Sequence, residues 1–276
     1  MKLAVAFLLL AACGNDSMSV SADGGGGGGG SGSGSGGGGG GSITTINGSP
    51  TGDATWSGQI RITASIDIPN GVTITVAAGS TVEVASSASI TVDGALAIAG
   101  VKGSTVTIEG LASDTWGFLT VHTGGSVTMS YAEYTGGNID VQSNGSIMLR
   151  DSELSRVVGD LLTSEGGNID VAYTWLGEPQ GQSDTTHCDM HFEDGSPTLS
   201  ITHTNISTSV YGVMFYAGTN ADFTSNNWFS NSIQVDPTAA VTGDFSNGYF
   251  DKNPPSGTGI TASNLASAML TDAGPR

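Results

Sequence analysis

The sequence predicts an all-β chain wound as a parallel β-helix, and three observations point there. From Ile60 onward the text is a run of short pieces such as IRI, VTITV, TVEV, SITV and ALAI, separated by Gly, Asn, Asp and Ser. Alternation of period two in pieces of four or five residues rich in Val, Ile and Thr is the signal of strands. Second, apolar residues five positions apart recur as Met129 and Tyr134, Leu149 and Leu154, Val171 and Leu176, Ile201 and Ile206, Phe223 and Trp228, and Phe245 and Phe250. Their first members are spaced by 20, 22, 30, 22 and 22 residues, and a repeat of this length holds the two or three strands of one coil. Third, no stretch between Ile60 and Asp251 shows helical periodicity. With Ile62, Val84 and Ile108 continuing the register toward the N-terminus, about nine coils stacked at about 4.8 Å form a rod roughly 43 Å long.

Taken in order, the chain opens with Met1 and Lys2, the apolar run Leu3 to Ala12, then Cys13 and Gly14. This is a basic start, an apolar centre and a small-residue cleavage site, so residues 1–12 read as a signal peptide. The run is shorter than the roughly 20 residues that span a bilayer. Leu10-Ala11-Ala12-Cys13 resembles the lipobox of bacterial lipoproteins. That resemblance implies cleavage before Cys13 and lipid on its sulfur and new amino group, which makes the membrane a partner. Gly14 in place of Asp after the cysteine implies the outer membrane of a Gram-negative bacterium, with the folded part periplasmic or surface-exposed.

Residues 13–42 read as a tether, since 24–42 are Gly and Ser only and have no side chains to pack. Its r.m.s. span is roughly 30 Å, and its stretched length is on the order of 100 Å. Residues 43–58 are expected to cap the first coil, 59–251 to form the β-helix, and 252–276 to cap the far end. In the last segment Ser263 stands where an N-cap would, ahead of Leu265, Met269 and Leu270, which predicts a short closing helix over 263–270.

The pieces Trp56-Ser57-Gly58, Ile68-Pro69-Asn70-Gly71-Val72-Thr73-Ile74, Ala78-Gly79-Ser80-Thr81-Val82 and Ile90-Thr91-Val92-Asp93-Gly94-Ala95-Leu96 resemble the opening coils of right-handed parallel β-helix proteins with pectate-lyase-like topology. Tyr211-Gly212-Val213-Met214-Phe215-Tyr216, Asn226-Asn227-Trp228 and Asp272-Ala273-Gly274-Pro275-Arg276 are similar to segments of exported β-helix lipoproteins, most of which have no assigned activity. The resemblance covers about Trp56 to Arg276 and implies a fold. That architecture hosts lyases, hydrolases, adhesins and scaffolds alike.

Charge narrows the partners. Twenty-five acidic residues against 7 basic ones give −18, so no cationic stripe is available to neutralise phosphates and nucleic acid is excluded. Two cysteines do not make a disulfide framework or a four-thiolate zinc site.

Candidate chemistry centres on the 30-residue interval between Val171 and Ile201, whose extra length falls around 177–198. Loops inserted into a repeat are where such folds place function. Within the 184–194 insertion, His187-Cys188-Asp189-Met190-His191-Phe192-Glu193 read as a strand sends Cys188, Met190 and Phe192 inward and His187, Asp189, His191 and Glu193 outward. His187, Asp189 and His191, with His203 from a neighbouring coil, are the candidate ligands for calcium or another divalent metal. His187 and His191 lie about 13 Å apart on an extended strand, too far to share one ion directly. A solvated strand face is the other reading, and Cys188 is expected to be an inert core residue.

An enzyme reading, as polysaccharide lyase or glycoside hydrolase, has Asp189 and Arg150 as candidate catalytic residues. Arg150 stands near Asp151 and Glu153, which also suits a surface ion pair. Trp116 and Trp175 are candidates for stacking on sugar rings, while Trp228 falls at a core position. Gly-Gly-Asn-Ile-Asp-Val occurs at 136–141 and 166–171, out of phase with the repeat, so Asp140 and Asp170 are not expected to stack. The sum of these features predicts a lipid-anchored envelope module that binds polysaccharide, envelope matrix or a partner protein, or serves as a structural element.

Overall fold

The computed structural model describes residues 42–178, 186–194, 198–216, 220–237 and 242–276. The expected signal peptide, Cys13, all of the expected tether but Ser42, and residues 184 and 185 of the insertion lie outside them. The described chain is a parallel β-solenoid with three sides. Going round one turn, it passes from a first sheet of ten strands to a second of eight and a third of ten. Neighbouring strands in every sheet run parallel and in simple succession, as in 126–130 with 146–150, 153–155 with 175–176, and 118–121 with 138–142. The second sheet sets eight complete three-sided turns. Ile43–Ile46 and Ala54–Trp56 pair with Gln59–Ile62 and Thr73–Ala77, so the segment expected as a cap supplies the outermost strands of two sheets.

Alternation places one side chain in two inside. Ile98, Met129, Leu149, Val171 and Ile201 form one ladder, by the pairings along the third sheet, and each is buried. Tyr134, Leu154, Leu176, Ile206, Trp228 and Phe250 form a second ladder on the first sheet. Burying one such side chain is worth about 1.5–3 kcal/mol, so the stacked ladders dominate cohesion.

The five-residue spacing of the apolar pairs has a geometric cause. Two residues after the first member, Tyr131, Asp151, Tyr173, His203, Ser225 and Asn247 have φ between 45° and 62°. One left-handed residue turns the chain from the third sheet into the first, so positions 0 and +5 both face inward. Such a conformation costs of order 1–3 kcal/mol for a non-glycine residue, and the next residue helps to hold it. Ser152 Oγ accepts from the Ala132 amide at 3.1 Å, and Asn226 Oδ1 accepts from the Thr204 amide at 2.8 Å. These bonds tie the Asp151 corner to that of Tyr131 and the Ser225 corner to that of His203.

The register departs from the expected one at the N-terminal end. Ile62 does stack on Val84, but both belong to the first sheet, and Ile108 sits over Val82 and under Tyr134. Met129 continues from Ile98, 31 positions earlier. The extra length lies in the Val101–Ser104 bridge and the 3-10 turn Leu111–Ser113. Two aliphatic ladders of similar composition run side by side, and periodicity alone does not tell them apart.

The closing helix over 263–270 is not formed. The Ser263 amide donates to Ser246 Oγ at 3.0 Å, Ala266 bridges Tyr249, and Asn227 takes both the Leu270 amide (2.7 Å) and carbonyl (3.0 Å). These bonds consume the backbone groups a helix would need. The segment is a strap laid back along the third-to-first corner. Its Gly274 amide donates to the His203 carbonyl at 2.8 Å. Arg276 then grips the buried Asp151 carboxylate through Nε (2.7 Å) and Nη2 (2.9 Å), with its guanidinium 3.6 Å over the Tyr173 ring.

Candidate functional site

Two adjacent strands of the second sheet, Gly159–Glu165 and Thr186–Asp194, bring together the one mixed His, Cys and Asp cluster among the described residues. Their register pairs Gly159 with Thr186 but Asp160 with Cys188, with a bulge between. His187 is the additional residue, so two side chains of one strand oppose Asp160 on the other. Asp160 Oδ1 is 3.1 Å from His187 Nδ1 and accepts from the Cys188 amide at 3.1 Å, while Oδ2 is 2.6 Å from His191 Nδ1. Cys188 Sγ is 3.2 Å from His187 Nδ1. Both imidazoles lean toward one carboxylate from either side, a convergence that simple alternation does not foresee.

Electrostatics follow the packing. Burial pushes the Asp160 carboxyl up, but hydrogen bonds from His191, Cys188 and His187 outweigh it and hold the group below the usual carboxylate range. Burial, then the negative charge and hydrogen bond of Asp160 and the charges of Asp189 and Asp236, push the Cys188 thiol well above its ordinary value. Cys188 is therefore a buried thiol at neutral pH, not a poised nucleophile. On the outer side the His191 ring packs 4.9 Å from the Tyr216 ring. Glu165, His191, Glu193 and Tyr216 line a broad open depression of about 640 Å³ there.

The other expected residues go elsewhere. Asp189, expected outward, is wholly buried, and Ser209 Oγ donates to its Oδ2 at 3.0 Å. The corner at Gly177 and Ser207 closes against it, leaving an added Gly177 Cβ only 2.8 Å from Asp189 Oδ1. His203 stacks on Tyr173 at 5.0 Å and stands 4.0 Å from Asp272 of the strap. His187, Asp189 and His203 thus have three separate sets of neighbours. Arg150 is not beside a free carboxylate pair: its Nη2 bonds Asp170 Oδ2 at 2.5 Å and its Nη1 bonds the Leu149 and Asp170 carbonyls. Trp116 is buried edge-on to Tyr134, with Nε1 donating to the Thr135 carbonyl at 2.9 Å, so its ring faces are not offered to a sugar. Trp175 sits half-buried on the outer face of the first sheet, bonded to Ser207 Oγ at 2.8 Å. Trp228 is core.

Comparison with protein-family models, curated proteins and solved structures finds no match to this chain.

A second feature escaped the sequence reading. The outer face of the first sheet carries a groove of about 310 Å³ lined by Thr107, Glu109, Glu133, Glu153, Arg156 and Glu178. Glu133 and Glu153 are direct partners on neighbouring strands. Burial first, and Glu133 second, raise the Glu153 carboxyl above its ordinary value against the opposing pull of Arg156. Arg156 Nε lies 3.3 Å from the buried Glu178. Glu133 and Glu153 are 20 positions apart and Glu109 is 24 from Glu133, so their proximity emerges only when the unequal turns are aligned. The signal was a glutamate at the outward position of three short strands.

Proposed function

We propose that this protein is a lipid-anchored module of the cell envelope, held to the outer membrane through Cys13 and its Gly/Ser tether, that binds an extended polymer without turning it over. The supporting observation is the first-sheet groove, a polar, carboxylate-rich channel on the outer face of neighbouring strands of a rigid solenoid. With a chain charge of −18, the occupant is a neutral or cationic polysaccharide, since an acidic one is repelled. The lipobox resemblance supports the anchor, and the pectate-lyase-like resemblance supports a glycan as the ligand class.

One observation favours a second reading, glycoside hydrolysis. That chemistry needs one protonated and one ionised carboxyl group at the same bond, and Glu133 and Glu153 stand side by side in register on neighbouring strands, the latter with its carboxyl raised. This moves the enzyme hypothesis from the 184–194 insertion to the first sheet.

The test uses the full chain in affinity electrophoresis against neutral, cationic and acidic polysaccharides, with reducing ends assayed in parallel. The binding reading expects retardation by a neutral or cationic glycan, weakened at least tenfold in Glu133→Gln, and no new reducing ends. Reducing ends that vanish in Glu153→Gln establish the second reading instead. Acyl labelling lost in Cys13→Ser checks the anchor.

A further inference from the structure

We propose that Asp160, His187, Cys188 and His191 form a binding site for a zinc-class divalent transition-metal ion. The inference is independent of the first-sheet groove and concerns a different face of the solenoid.

The donor atoms of Asp160, Cys188 and His191 lie within 4.8 Å of one another. An ion bound tetrahedrally with bonds of about 2.0–2.3 Å has ligand-to-ligand edges of roughly 3.3–3.8 Å, so the three need to close by no more than about 1.5 Å. His187 Nδ1 already stands 3.1 Å from Asp160 Oδ1 and 3.2 Å from Cys188 Sγ, inside those edges. Its side chain is 48% exposed and its ring lies edge-on to Tyr211 at 5.1 Å, so a rotation of the ring on the solvent side brings it in as the fourth ligand. The spacing comes from the bulge at Gly159 and Asp160, a feature that re-aims side chains and is over-represented near functional sites.

A second observation concerns His191. Its side chain is 12% exposed and its Nε2 atom is buried without a hydrogen-bond partner. An unmet buried polar atom costs about 1–3 kcal/mol, so this ring is kept in place at a penalty with Nδ1 turned into the cluster. The donor chemistry then selects the metal. One thiolate and two imidazoles suit zinc, cobalt or nickel, whereas calcium takes oxygen ligands.

Binding is balanced by one proton: the ion replaces the thiol hydrogen of Cys188, forming a metal–sulfur bond and releasing H⁺ to solvent. The two negative charges of Asp160 and the Cys188 thiolate then match the +2 of the ion, with both imidazoles neutral. This ligand set differs from the one the local sequence pattern suggests. Asp160 and Cys188 replace Asp189 and His203, which are engaged elsewhere.

The test titrates the untagged full chain, stripped with chelator, with Co²⁺. The expected result is one equivalent bound, a thiolate-to-cobalt charge-transfer band in the near ultraviolet with tetrahedral visible bands, and displacement by an equivalent of Zn²⁺ but not by excess Ca²⁺. The band is expected to survive Cys13→Ser and to vanish in Cys188→Ser. Asp160→Asn and His191→Ala are expected to weaken zinc affinity at least tenfold, with folding checked by circular dichroism. Wild-type protein that is folded yet shows no charge-transfer band overturns the proposal whatever the variants do. So does a band that persists without Cys188, or one displaced by Ca²⁺.

Discussion

Asp151 and Asp160 are both carboxylates drawn out of solvent, and each is stabilised by donors that come from another turn. Asp151 takes Arg276 from the strap, and Asp160 takes His187, the Cys188 amide and His191 from the neighbouring strand. Glu153 contrasts with them, because it gains burial and a like-charged neighbour with only Arg156 in compensation. The other charged groups around its groove are Glu109, Glu178, Lys102, Asp151 and Arg276. A carboxyl raised in the folded state favours folding when protonated and opposes it when ionised. Glu153→Gln is therefore expected to raise the melting temperature at pH 7. The gain should disappear as the pH falls below about 4, the ordinary glutamate range. Equal gains at pH 7 and pH 3.5 would show that the effect is packing, not charge. At this scale the sequence was partly legible. Cys188 is inside as alternation requires, but Asp189 defied it because Gly177 and Ser207 of a neighbouring corner close against it.

Strands and ladders were the most readable level. The pairs from Met129 and Tyr134 onward stack as their spacing implies, and the two copies of Gly-Gly-Asn-Ile-Asp-Val fall on different sheets, Asn138–Gln142 on the second and Asn168–Ala172 on the third. A hexapeptide that starts with a turn and alternates fits any side of a three-sided coil, so identical words do not imply identical places. What local pattern could not supply was long-range: the bulge opposite Asp160, the 31-residue step before Met129, and the Asn227 side chain that holds Leu270 in an extended strap. Cohesion of the last turns rests on aromatic stacking. Phe223 is fully buried, parallel to Phe245 at 4.9 Å and edge-on to Trp228 at 5.7 Å. Phe223→Ala is expected to cost about 3–5 kcal/mol in urea unfolding, while Trp175→Ala on the half-buried outer face should cost less than half as much. Comparable losses at the two sites would mean that the core is not where the ladder places it.

Seen whole, the molecule is a stack in which each turn touches chiefly the next, so stability grows turn by turn. The strap breaks that rule. It joins the corner of Asn247 to the corner of Asp151, through bonds to Ser246, Gly248, Asn227, His203 and Asp151, and none of these bonds reaches the turns before Tyr131. The consequence is mechanical. A load entering at the N-terminal end of the solenoid, with the other handle at an Asn253→Cys site ahead of the strap, peels the early turns singly, each freeing about 70 Å of chain at roughly 3.3 Å per residue. At the turn of Asp151 the pull meets a longitudinal brace that must be torn together with the strand. Optical-tweezer traces are expected to show small regular rips, then a higher force plateau, and Arg276→Ala should lower that plateau without altering the early rips. The solenoid would thus yield gradually at its N-terminal end while its far half stays intact, a fuse built from the fourteen residues 263–276.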